Sequence, residues 1–172
     1  MIIKPATNLN EFLQIHQLNY TVFVEEIPQH TSNDEKVLID KFHLTNNYII
    51  AKKNEQVIGM VCYNHTRPFS LDSKIEGLES YLPSYEKLAE IRLLSIYAGE
   101  RKPMVAYRLL NYLCKVLIDQ GTDVAIISGT TRQLKLYEAI GFVHFGEPVG
   151  TAGALYQPMY ITLKNLRNDF TH

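Results

Sequence analysis

The sequence of 172 residues carries almost no excess of either charge: 17 Lys and Arg stand against 18 Asp and Glu, a formal net charge of −1. A broad nucleic-acid surface needs a large basic excess, so nucleic acid is excluded as a partner. Cysteine is scarce too. The two, Cys62 and Cys114, stand far apart with no metal-ligand or redox spacing, and they read as buried thiols of a reducing compartment. The six histidines form no HExxH or paired-ligand motif, so no metal is expected. Uninterrupted apolar runs reach only about five residues, against the ~20 of a membrane span. The opening Met-Ile-Ile-Lys-Pro lacks the apolar stretch of a signal peptide, and the expectation is a cytoplasmic protein with no membrane contact. Internal repeats and low-complexity linkers are also missing.

The remaining composition is that of a globular domain. Hydrophobic residues make 46% and charged residues 20%, which excludes a disordered chain. The length suits a single domain over residues 1–172, as a monomer or homodimer, able to bury roughly 70% of its unfolded surface without a disulfide.

Met1–Thr7 reads as a first strand. Asn8 with Glu11 is a capping-box start, and Phe12, Ile15, Val22 and Phe23 give helical spacing up to Pro28. Ser32-Asn33-Asp34 predicts the cap of a second, short helix holding Val37, Leu38 and Phe42. Tyr48–Lys52 and Gln56–Tyr63 read as a hairpin, with Gly59 marking a bulge or a close backbone approach. Asn64–Tyr85 reads as a long loop with one helical turn. Leu88–Tyr97 is a strand, Gly99–Pro103 a loop, and Met104–Gln120 the clearest helix, between Pro103 and Gly121. Val124–Ser128, Phe142–Phe145 and Met159–Leu163 read as strands, and Thr130–Ile140 as a short helix.

The informative stretch runs from Leu88 to Phe142. A strand, AEIRLLSI, enters the loop YAGERK, which opens the long helix. The first amides of a helix lack intrahelical partners and favour anions. Arg101, Lys102 and Arg108 concentrate positive charge there, although an ordinary strand–helix junction with solvated basic residues looks the same in sequence.

Three segments carry a resemblance. Leu94-Ser95-Ile96, followed by Arg101 and Ala106, resembles motif A of the GNAT acyl-CoA N-acyltransferase superfamily: a strand ending Leu-x-Val, then (R/Q)-x-x-G-x-(G/A). Leu136-Tyr137-Glu138-Ala139-Ile140-Gly141-Phe142 is similar to the family's L-Y-x-x-x-G-F element. Tyr20–Glu26 resembles the helix-1 segment R-x-x-V-F-V-x-E. Met104 stands where the loop's central glycine belongs, a departure that would crowd a phosphate. Some relatives, the autoinducer synthases and the N-acyl amino acid synthases, take acyl groups from acyl carrier protein, and Arg67-Pro68-Phe69-Ser70-Leu71 is loosely similar to that branch.

The resemblance implies an α/β fold, with a mixed, mostly antiparallel twisted sheet flanked by helices. It implies an N-acyltransferase that uses acyl-CoA, acetyl-CoA first, and a small-molecule amine acceptor, with acyl carrier protein as the alternative donor. A non-catalytic binding module of the same shape is a further alternative. The backbone of Leu94, Ser95 and Ile96 would pair with pantetheine, and the amide of Ile96 or a neighbour would hold the oxyanion. Arg101, Lys102 and the amides of Met104, Val105 and Ala106 would hold the donor phosphates, with Arg108 toward the adenosine. Thr130, Thr131 and Arg132, at the start of the next helix, either cap it or line the donor side.

Glu90 is either the general base or a strand residue paired with Arg92. Tyr137 is either the acid toward the leaving thiolate or an aromatic packed on the sheet. Glu25 and Glu26, at the end of helix 1, are either acceptor contacts or a solvated helix end. Tyr63, Phe69 and Tyr85 either wall a substrate pocket or belong to the core.

Overall fold

The computed structural model describes residues 1–166. The chain begins with β1 (Ile2–Pro5) and α1 (Leu9–Tyr20), and the expected capping box is present. Asn8 Oδ1 accepts the Glu11 N–H at 2.9 Å, and the Glu11 carboxylate accepts back from the Asn8 N–H. Thr21–Glu26 widens into a π-helical turn, closed by the Ile27 N–H on the Val22 carbonyl at 2.8 Å. The second helix expected from Ser32 does not form. Asn33 does accept from the Lys36 N–H, at 2.8 Å, but Lys36 sits at φ 55° and turns the chain out of helical geometry.

The hairpin is β2 (Asn47–Lys53) and β3 (Gln56–Asn64), joined through Asn54 at φ 57°. Pairing shifts register between Ala51 and Lys52, leaving Ile58 as the extra residue on β3. Gly59, next to this bulge, also lies against another backbone: a Cβ there would stand 3.3 Å from the Ser95 carbonyl oxygen. Bulge and close approach therefore coincide.

Two short turns, Ser70–Ser73 and Leu78–Tyr81, punctuate the long loop where one was expected. Next come β4 (Leu88–Ile96), a turn at Ala98–Glu100, and α2 (Pro103–Asp119), stopped by Gly121 at φ 80°. β5 (Val124–Thr130) runs longer than its apolar core suggested, and α3 (Leu134–Ile140) starts four residues later than expected. β6 (Val143–His144), β7 (Val149–Thr151) and β8 (Ala154–Thr162) follow. Gly150 and Gly153 obscure the alternation of the β7–β8 hairpin in the sequence.

The chain packs as two units. The first holds Met1–Tyr63 and Arg92–Leu113, with strand order β1-β2-β3-β4. Ile15, Leu18, Val22, Tyr48, Ile50, Met60 and Cys62 form its buried centre. The second holds Asn64–Ile91 and residues 114–166, with strand order β4-β5-β8-β6 and β7 beside β8. Its core gathers Phe69, Leu71, Leu78, Leu88, Val124, Ile126 and Phe145. Pairing is mixed and mostly antiparallel; β4 and β5 are the parallel pair, in register from Leu88↔Val124 to Ile91↔Ile127.

Candidate active site

In the first unit the candidate donor segment begins at a kink. Leu93 sits at φ 61° inside β4, a left-handed conformation that costs a leucine about 1 kcal/mol. Its carbonyl accepts from the Ser95 hydroxyl at 3.0 Å. Ser95 and Ile96 are buried, Leu94 half-buried, and the Tyr97 N–H donates at 3.0 Å to Ile58, the bulged residue of β3. The kink is fixed from both sides of the strand end. Nothing in the Leu-rich sequence signals a left-handed residue here.

The loop into α2 is tied back on itself. The amides of Arg101 and Lys102 donate to the carbonyls of Ala98 and Glu100 at 3.4 and 2.8 Å, and the Val105 amide donates to Lys102 at 3.0 Å. Arg101 Nε donates to the Ile96 carbonyl at 2.9 Å, and its guanidinium pairs with Glu26. One expected phosphate ligand and one expected acceptor residue are thus bound to each other. Lys102 and Arg108 are exposed, Glu25 is exposed, and Val105 and Ala106 turn their side chains into the core. Met104, which takes the glycine's place, is 62% exposed. Tyr63 is buried, and its carbonyl accepts from Asn47 at 3.3 Å.

In the second unit Glu90 is only 1% exposed. One carboxylate oxygen accepts the Ser70 N–H at 2.9 Å. The other accepts the Ser70 hydroxyl at 2.7 Å and the Leu71 N–H at 3.1 Å. Three donors converge on one buried carboxylate, so Glu90 clamps the Ser70–Ser73 turn to β4. Arg92, the neighbour that sequence spacing suggested, makes a two-pronged bond to Asp40 in the first unit, at 2.6 and 3.0 Å. Ser70 was legible only as part of the Arg67–Leu71 stretch, and Asp40 carried no signal at all. Phe69 is buried in the core, and Tyr85 is half-buried with its hydroxyl donating to Glu79 at 2.6 Å.

Tyr137, on α3, is buried against Gly129 of β5. A Cβ at Gly129 would lie 2.9 Å from its ring, so only glycine leaves it room. Phe142 packs edge-on at 5.6 Å. The Tyr137 carbonyl accepts the N–H groups of Gly141 and Phe142 at 3.1 and 3.0 Å, with Gly141 at φ 122°. Tyr137, Gly141 and Phe142 thus stand at the spacing of a helix end closed by a glycine. Burial pushes the Tyr137 phenol pKa up, so it keeps its proton at any working pH. Thr130 ends β5, and Thr131 and Arg132 lie in the turn before α3, so none of them starts that helix.

Residues 9–142 match the family model described as the acetyltransferase (GNAT) family. The chain belongs to this acyltransferase family. Among solved structures, this GNAT chain is similar to the acyl-homoserine lactone synthase LasI, with a TM-score of 0.77 at 16% identity over 94% of this chain and 89% of that one. BjaI, a CoA-dependent acyl-homoserine lactone synthase solved with isopentyl-CoA, gives 0.74 at 19% identity over 92% and 81%. FeeM, an N-acyl amino acid synthase from uncultured soil microbes, gives 0.72 at 18% identity over 98% of each chain. These likenesses establish the fold. No curated protein matches the sequence. Among the described residues, no helix is long and apolar enough to cross a membrane, and no group of three or more His, Cys, Asp and Glu could hold a metal.

Proposed function

We propose that this GNAT protein transfers an acyl group from the thioester of acyl-CoA, acetyl-CoA first, to the amine of a small molecule or amino acid. The observation that carries the reading is the kink in β4. Its parallel register with β5 runs only to Ile91, and Leu93 turns left-handed just ahead of Leu94-Ser95-Ile96. Strain of this kind, held by fixed neighbours, marks a backbone shaped for a ligand rather than for a ladder.

The amine nitrogen attacks the thioester carbon, the C–S bond breaks, and the departing sulfur takes a proton. In this reading a backbone N–H at Ile96 steadies the oxyanion. Tyr137, neutral and buried, supplies the proton to the thiolate. Glu90, held by three donors, is a positioning residue that fixes the Ser70–Ser73 turn, and the proton lost by the amine leaves through water.

A second reading takes the acyl group from acyl carrier protein. The donor loop favours it, since the Arg101, Lys102 and Val105 amides donate within the loop and Arg101 is paired with Glu26. The resemblance in fold to LasI and FeeM is consistent with either donor. Calorimetry separates the two. Acetyl-CoA and free CoA both binding at sub-millimolar concentration supports the first reading; binding of acylated carrier protein alone supports the second.

A further inference from the structure

The first unit contains a partly buried polar chain that the acyl-transfer reading does not use. His16 of α1 and His43, in the irregular segment before β2, meet edge to face with ring centroids 4.8 Å apart. His43 Nδ1 is bonded to the Tyr48 hydroxyl at 2.9 Å. Asn46 Nδ2 donates both to that hydroxyl, at 3.2 Å, and to Asp40 at 2.9 Å. Asp40 in turn accepts the Phe42 N–H at 3.0 Å and holds Arg92 of β4. The same segment is pinned to α1 by Leu38 N–H on the His16 carbonyl at 3.0 Å, and by Asn19 on the Leu38 carbonyl at 2.9 Å.

The placement of protons makes this chain conditional. The Tyr48 hydroxyl donates one proton and can accept two, so it serves His43 Nδ1 and Asn46 Nδ2 with either His43 tautomer, and the conditional proton is that of His16. His16 is 8% exposed, and its Nδ1 is buried with no hydrogen-bond partner among the described residues. A proton added there finds no acceptor and faces the His43 ring.

The charged and titratable groups around the pair do not relieve this. β2 presents Tyr48, β3 presents Cys62, and β4 presents Arg92, whose guanidinium lies 4.9 Å from the Phe42 ring. The segment itself offers Lys41, which sits over Phe42, and Asp40, whose two oxygens are both bound by Arg92.

We propose that His16, packed against His43, is a proton-sensitive latch. The neutral His16 ring lets the segment 31–46 lie against α1, and proton uptake there releases the segment and with it loosens Asp40 from Arg92. Burial first, and then the neighbouring His43, lower the His16 pKa, in keeping with a folded state that prefers the neutral ring. The closed form then binds fewer protons than the open one, so closure weakens as pH falls below the ordinary histidine value near 6.5.

Hydrogen–deuterium exchange read by mass spectrometry tests this on the ligand-free protein, whatever the chain acylates. After correction for intrinsic exchange rates, amides of residues 31–46 should open at least about tenfold more at pH ~5.5 than at pH ~7.5. The β2–β3 hairpin should not follow. The double variant His16→Phe, His43→Gln keeps volume and the Tyr48 hydrogen bond, and it should lose the pH dependence. If it fails to fold, His16→Phe alone should lose the pH dependence. Equal protection of the wild type at both pH values overturns the latch, and so does an unchanged response in the folded variants.

Discussion

Ser70 donates to Glu90 twice, through its backbone N–H at 2.9 Å and its hydroxyl at 2.7 Å. The pair carries the positioning role given to Glu90. Ser70→Ala removes one bond and should cost about 1–2 kcal/mol in denaturant unfolding, with the pH profile of acyl transfer unchanged in shape. Glu90→Gln sets an amide against N–H donors and should cost more, again without moving the profile. A lost acid limb in Glu90→Gln would instead assign proton removal to Glu90.

Arg101 is shared between the Ile96 carbonyl and Glu26. Releasing it with Glu26→Gln should tighten acetyl-CoA binding a few-fold, about 0.5–1 kcal/mol, as expected for a partly exposed ion pair. Reversing both Arg101 and Lys102 to Glu should weaken that binding at least about tenfold, since it sets negative charge where the donor phosphates would sit. Titration calorimetry reads both changes. Acyl transfer from a carrier protein should be much less affected.

Tyr137→Phe keeps the ring against Gly129 and Phe142 and removes only the hydroxyl. Thermal stability should hold while kcat falls by about 10²-fold, the lower range of general-acid contributions. Gly129→Ala makes the complementary change, because its new Cβ pushes on the Tyr137 ring; it should cost about 1–3 kcal/mol and reduce kcat with the phenol still present.

Glu11 is buried at the start of α1 and bonded to Lys4 at 2.7 Å and Lys52 at 3.0 Å. Burial alone would raise its pKa. The bonds from Lys4, the Thr7 N–H and Lys52 outweigh that and hold the carboxyl well below the usual carboxylate range. The unfolded chain therefore binds this proton more readily, and the stability Glu11 contributes is present above about pH 4.5 and lost as pH falls below it. Glu11→Gln should flatten the acid side of a stability-against-pH curve. Asn8→Ala, which removes the other half of the capping box, should cost about 1 kcal/mol at neutral pH.

The elements that sequence made legible are those with local causes. Asn8 and Glu11 fix the start of α1, the apolar stripe of α2 ends at Gly121, and Tyr137, Gly141 and Phe142 lie at a spacing that a helix end requires. The less legible features depend on distant partners or on backbone turns that side chains do not announce. The capping signal at Ser32 and Asn33 is overridden when Lys36 turns left-handed. Glu90 finds Ser70 and Leu71 about twenty positions away, and Arg92 finds Asp40 across more than fifty. The kink at Leu93 is held by the Ser95 hydroxyl and by the bulge opposite, neither of which is visible in a run of leucines.

Amine acylation from a pantetheine thioester, with Tyr137 as the acid, is tested most directly by thiol release. Wild-type protein mixed with acetyl-CoA and a panel of amino acids and small amines should release free CoA with at least one acceptor, and Tyr137→Phe should release it about 10²-fold more slowly. Equal rates in the two proteins would contradict the role of Tyr137, and no release from acetyl-CoA or from an acylated carrier protein with any amine would contradict acyl transfer itself.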